Sequence, residues 1–182
     1  MSETTKLVNV RNRNNGTTSY RLSDSRIDRT WQPGETKKIS LDELQALQWE
    51  PGGDYILKHL LVVEDKEAVD GLNMTVEPEY FYTEAEIRKV LFEGSLDELL
   101  DYLDFAPEGG IELVKHIAVT EQLPDTRKRE AISKRTGFNI DTAIQINRMM
   151  EDETSTEEEE KKPANGGRRV PKSKYNVVSG GK

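Results

Sequence analysis

Apolar periodicity, helix caps and turn residues run through this chain as far as about Met150 and then stop. From Glu151 to Lys182 the sequence is charge-segregated, with seven acids in 151–160 and seven Lys or Arg in 161–182. Such a segment cannot bury enough apolar surface to offset the entropy of ordering it, so it is expected to be disordered when free. About 150 residues remain to fold, which suits one compact domain or two small ones.

Composition narrows the function classes. A net charge of −8 argues against general DNA or membrane binding by the whole chain, though a local basic patch remains compatible with it. The absence of cysteine removes disulfides, thiolate zinc sites and cysteine nucleophiles together. Met1 is followed by Ser-Glu-Thr-Thr rather than a basic segment and an apolar core, so no secretory signal is expected. No apolar run approaches the ~20 residues that span a bilayer. A soluble protein, cytoplasmic or assembled from the cytoplasm, is the expectation.

In the amino-terminal part, Val8 and Val10 alternate with polar residues, Asn14-Asn15-Gly16 follows, and Thr18, Tyr20 and Leu22 alternate again. Two period-two runs around Asn-Gly predict a β-hairpin with Val8, Val10, Tyr20 and Leu22 on one buried face. Pro33-Gly34 suits the centre of a type II turn, and 36–39 returns as a strand. Ser40-Leu-Asp-Glu43 is a capping-box pattern that predicts a helix from Leu41, with Leu44, Leu47 and Trp49 inward, ended by Pro51-Gly52-Gly53. Asp54 is expected to cap a short helix through His59, and Leu61-Val62-Val63 reads as a buried strand. This gives a β-rich module with short helices over 1–64, followed by a connector over 65–82.

Two more capping boxes open the second half, Thr83-Glu-Ala-Glu86 and Ser95-Leu-Asp-Glu98. Ile87, Val90 and Leu91 mark the inner face of one helix, and Leu96, Leu99, Leu100 and Leu103 that of the next. After Pro107 and Gly109-Gly110, read as a break, Ile111, Val114, Ile117 and Ala118 mark a third. Residues 127–135 and 140–150 are expected to be helical, with Asn139 capping the last. The predicted fold class is therefore α+β: a small N-terminal antiparallel β-rich module, a bundle of short α-helices over 83–150, and a disordered acidic-then-basic tail over 151–182.

No residue set has the spacing of a catalytic centre. His59 and His116, the only histidines, lie in no HExxH pattern and form no Ser/His/Asp grouping. Asp97, Glu98, Asp101 and Asp104 read as a solvated helix face rather than a metal or acid–base site, and their spacing fails the calcium-loop pattern. Neither glycine pair sits in a phosphate-binding pattern, so both read as turns. No catalytic residue, metal or cofactor is expected. The strongest functional candidate in the body is the basic segment with Arg127, Lys128, Arg129, Lys134 and Arg135, which with Gly137 and the next helix loosely resembles a helix-turn-helix. It is a contact for nucleic acid or, alternatively, balances acidic surfaces of the protein or a partner. In the tail, Lys174, Tyr175, Val177 and Val178 form a strand-prone cluster that can add to the edge of a partner's sheet or seat an aromatic anchor. The alternative is an inert solubilising tail.

Three stretches resemble proteins of tailed bacteriophages. They are Trp31-Gln-Pro-Gly-Glu35 with Ile39 and the capped helix after it, Val76-Glu-Pro-Glu-Tyr-Phe81, and Ser95-Leu-Asp-Glu-Leu-Leu-Asp-Tyr-Leu-Asp-Phe-Ala-Pro107. The resemblance covers most of 7–150. It implies a phage accessory protein from the head or tail gene module: a non-enzymatic virion or assembly component, found in the virion and in the host cytoplasm during assembly. Its partners would be capsid, portal or tail subunits, or a second copy of itself, with the tail as a tether and no membrane contact. The alternative is a regulatory protein that binds nucleic acid or a host protein through 127–135.

Overall fold

The computed structural model describes residues 6–160 of the chain. The architecture is α+β, an antiparallel β module followed by helices. Contacts divide the chain into two units, the first ending at Asn147 and the second beginning at Arg148.

The β module contains β1 (Leu7–Asn12), β2 (Thr18–Leu22), β3 (Ile27–Trp31), β4 (Thr36–Ser40) and β5 (Leu61–Val63). Val8, Val10, Tyr20 and Leu22 are all buried, as their alternation predicts. The expected β1–β2 hairpin is not formed. Instead β1 is the central strand of an antiparallel sheet β4-β1-β5, while β2 pairs with β3 in a second sheet. The reason lies in the link itself. Asn12 is buried, and its Nδ2 donates to the carbonyls of Gly16 (2.8 Å) and Gln32 (3.1 Å). Its Oδ1 accepts from Asn14 N (3.0 Å) and Thr18 Oγ1 (2.9 Å). These four bonds hold 13–17 as an irregular crossover, which competes with a tight turn for the same backbone groups. The β3–β4 turn behaves as predicted: Glu35 N donates to Gln32 O at 3.1 Å, with Gly34 at φ +72°.

Helix α1 (Leu41–Trp49) begins where expected, with Ser40 Oγ accepting from Glu43 N at 3.2 Å. The reciprocal half of the box is absent. Glu43 is buried and turns instead to Arg29, Nη2 to Oε2 at 2.9 Å and Nε to Oε1 at 2.8 Å, and to the Tyr20 hydroxyl. Leu44 and Leu47 point inward, but Trp49 is 89% exposed, contrary to expectation. Asp54 is not a cap. The short helix α2 (Gly53–Tyr55) starts one residue before it, and Asp54 pairs with Lys58 at 2.9 Å. Only glycine fits at 53, since an added Cβ would sit 1.7 Å from Leu47 O. A π-helical turn (Ile56–Leu60) then leads into β5, all of whose residues are buried.

Most of the expected connector over 65–82 joins the first core, and Tyr82 packs on the second. Helix α3 (Lys66–Gly71) and the 3₁₀ turn Pro78–Phe81 bring Ala68, Val69, Leu72, Met74 and Tyr80 into the same cluster as Val10, Trp31 and Leu61. Tyr80 fixes the join. Its hydroxyl accepts from Val63 N and donates to Leu57 O, each at 3.0 Å.

The second core is helical: α4 (Glu84–Phe92), α5 (Leu96–Phe105), α6 (Glu108–Thr120), α7 (Thr126–Thr136) and the start of α8 (Ile140–Glu160). Both Thr83–Glu86 and Ser95–Glu98 form complete capping boxes. In α5, Leu99 and Leu103 are buried as expected, Leu100 is 40% exposed, and Tyr102 enters the core in its place. Gly109 and Gly110 do not break the chain; they lie in the first turn of α6. A Cβ on Gly109 would come within 2.6 Å of His59 O, and one on Gly110 within 2.6 Å of Tyr102 Oη, so both glycines permit close approach. Helix α8 passes the expected end at Met150 and runs to Glu160. The remainder of the predicted disordered tail lies outside the described residues.

Candidate functional site

The basic helix is built as its sequence dictates. Asp125 caps α7 by accepting from Arg127 N (2.9 Å) and Lys128 N (3.4 Å). Gly137 ends it at φ +71°. Ser133 Oγ then accepts from Ile140 N (3.1 Å) and Asn139 Oδ1 from Thr142 N (2.9 Å), which starts α8 after a tight joint.

The five cations of 127–135 are not one free surface. Lys128 is buried, and its ammonium donates to the carbonyls of Val90 (3.0 Å), Leu91 (2.7 Å) and Gly94 (2.6 Å). It therefore closes the C-terminal end of α4, where orphan carbonyls and the helix dipole both favour a cation. This overturns its expected role as a partner contact. Arg129 is drawn inward, donating from Nη1 to Leu123 O at 2.8 Å and pairing through Nε with Asp141 at 2.7 Å. Arg127, Lys134 and Arg135 stay at the surface, near Asp125 (3.9 Å), Glu130 (3.1 Å) and Asp104 (3.0 Å) respectively.

Those three surface cations rim a groove of about 500 Å³ between α5 and α7. Its floor is apolar: Leu96 and Leu100, one helical turn apart on α5, with Ala131 of α7 opposite. Glu130 supplies the one acid of the lining. Sequence periodicity assigned Leu96 and Leu100 to the core stripe. In fact they lie beside the buried pair Leu99 and Leu103, displaced toward α7. Asp97, Glu98, Asp101 and Asp104 are all exposed along α5, as a solvated face; Glu98 accepts from Ser95 N, and Asp104 pairs with Arg135 at 3.0 Å. Lys174, Tyr175, Val177 and Val178 lie outside the described residues.

Elsewhere the ionisable groups serve the fold. Arg29 hydrogen bonds hold the Glu43 carboxylate below its ordinary pKa against the opposing effect of burial. Burial, with Glu43 beside it, raises the Tyr20 hydroxyl. Among the described residues no group of three His, Asp or Glu could hold a metal ion, and no helix is long and apolar enough to cross a membrane. Comparison of the chain with protein-family models, with curated proteins and with solved structures finds no match.

Proposed function

We propose that this protein is a non-enzymatic virion or assembly-associated component of a tailed bacteriophage that docks on a capsid, portal or tail subunit. The phage assignment rests on the resemblance carried by residues 31–39, 76–81 and 95–107. The docking assignment is supported by the α5–α7 groove, an apolar floor with Arg127, Lys134 and Arg135 at its edge. The occupant it suits is an acidic segment of the partner that places an apolar side chain over Leu96, Leu100 and Ala131 and its carboxylates on the cations. The existing ion pairs of Arg127, Lys134 and Arg135 are exposed, and such pairs contribute only about 0–1 kcal/mol each, so a partner's carboxylates can replace them. A tail contact through Lys174, Tyr175, Val177 and Val178 would then act at raised effective concentration.

The test compares the full chain with Ala131→Arg, which fills the floor with charge at a half-buried position. Each is supplied to phage assembly, and purified particles are assayed by quantitative mass spectrometry. The expected result is a stoichiometric copy number for the parent and at least a tenfold loss for the variant at equal soluble abundance. Confinement of the parent protein to the soluble lysate would sink the virion reading.

A further inference from the structure

Among the described residues Arg13 and Lys128 are both buried cations held by backbone carbonyls, and of the two Arg13 keeps an N–H without an acceptor. It is 4% exposed and no carboxylate lies within ion-pair distance of it among the described residues. Nη2 donates to Leu61 O (3.2 Å) and Tyr80 O (2.6 Å), and the guanidinium carbon stands 4.3 Å from the centre of the Tyr80 ring. Nε is buried without an acceptor. Carbonyls and a ring face satisfy hydrogen bonds, but they leave a buried positive charge uncompensated, which is a costly arrangement. Burial lowers the group's pKa to about 10, still protonated at neutral pH.

Arg13 also lines a cavity of about 180 Å³. The other walls are Arg11 and Asn12 at the end of β1, Asn14 and Asn15 in the crossover, Pro33-Gly34 in the β3–β4 turn, Glu84, and Leu113 with His116 on α6. The fold presses these parts together. Gly109, Leu113 and His116 lie at i, i+4 and i+7, one face of α6, and an added Cβ on Gly109 would come within 2.8 Å of Arg13 Cγ. The one carboxylate of the lining, Glu84, is ion-paired with Arg88 at 2.6 Å, and Arg11 is paired with Glu64 at 3.2 Å. What remains of the lining is Arg13, the side chains of Asn14 and Asn15, and an exposed imidazole around a small space.

We propose that this cavity binds a small oxyanion, a carboxylate or phosphate group, which supplies the counter-charge Arg13 lacks. A planar guanidinium with an uncommitted N–H is suited to that geometry, and the Asn14 and Asn15 amides and an imidazole N–H add further donors. This inference is independent of the docking groove, which lies between α5 and α7.

The test is a titration of the full-length, uniformly ¹⁵N-labelled protein with inorganic phosphate and, separately, with acetate. Ionic strength is held constant with sodium chloride, and the Arg13 Nε–H and the amides of Asn15 and Gly34 are followed. Saturable shifts at these groups with either anion are expected, and the anion that produces them separates phosphate from carboxylate recognition. Variants at exposed His116 keep the core intact: His116→Glu should weaken binding roughly tenfold or more, while His116→Lys retains it. The proposal is overturned if neither anion gives a saturable response, if chloride alone reproduces it, or if the Glu and Lys variants bind alike.

Discussion

Lys128 shows how much a single polar side chain can contribute when its partners are backbone carbonyls. Replacing it with Met keeps the aliphatic stem but leaves Val90, Leu91 and Gly94 without their donor. Lys128→Met should therefore lower the free energy of unfolding by about 2–3 kcal/mol, read from urea denaturation, whereas Lys134→Met at the surface should change it by less than ~0.5 kcal/mol. Glu43 makes a prediction in pH. Because its folded pKa is depressed, its contribution is fully present above the unfolded carboxylate value and is lost as pH falls through the folded value. Stability curves of the parent and Glu43→Gln should therefore lie apart at pH 7 and converge below about pH 4; parallel curves throughout would refute the pairing. Neither role is visible in the sequence. Ser40 and Glu43 match a capping box, and that pattern encodes only a local partner. Tyr20 and Arg29 reach Glu43 through tertiary packing, and nothing in a basic run marks which lysine turns inward.

At the scale of elements, caps and faces were legible and neighbours were not. The Thr83 and Ser95 boxes depend on residues three apart, so their pattern is complete in the sequence. Thr83→Ala and Ser95→Ala should each lower stability by about 1 kcal/mol in thermal or urea unfolding. Alternation likewise placed Val8, Val10, Tyr20 and Leu22 on the buried side, because side-chain period fixes the face and not the partner strand. The β1–β2 pairing fails at Asn12, whose side-chain bonds hold the crossover. The glycines of α6 differ from expectation for a related reason: glycine signals a turn or a close approach, and only the fold distinguishes them. Gly109→Ala would gain helix propensity of about 1 kcal/mol, yet its Cβ meets a backbone carbonyl that cannot move freely. It should be destabilising by about 1–3 kcal/mol net, and more so than Gly110→Ala, whose clash is with the end of the Tyr102 side chain.

For the whole molecule, the distribution of charge decides between partners. A chain of net charge −8, with Lys128 buried and Arg129 drawn inward so that α7 presents three surface cations rather than five, offers little to a phosphate backbone. Retention on immobilised duplex DNA should be absent at physiological salt and unchanged by Arg127→Glu. Strong, steeply salt-dependent retention would favour the nucleic-acid reading of the basic helix over docking. The body's division into two cores was only partly legible, since Tyr80 and its neighbours join the first core across residues that look like a linker.

The placement of β1 at the centre of its sheet has a consequence for biosynthesis. Synthesis runs from the amino end, so β1 is made before either of its neighbours, β4 and β5, and the second of these ends at Val63. Tyr80, which holds the β5 backbone and accepts from Arg13, comes later still. The nascent chain must therefore carry Val8 and Val10 unpaired until β4 emerges, and the β5 edge of β1 open until Val63 has left the ribosome. A strand with an open edge during that interval is a target for chaperones, and a truncation after residue 64 would leave the β module without its Tyr80 lock.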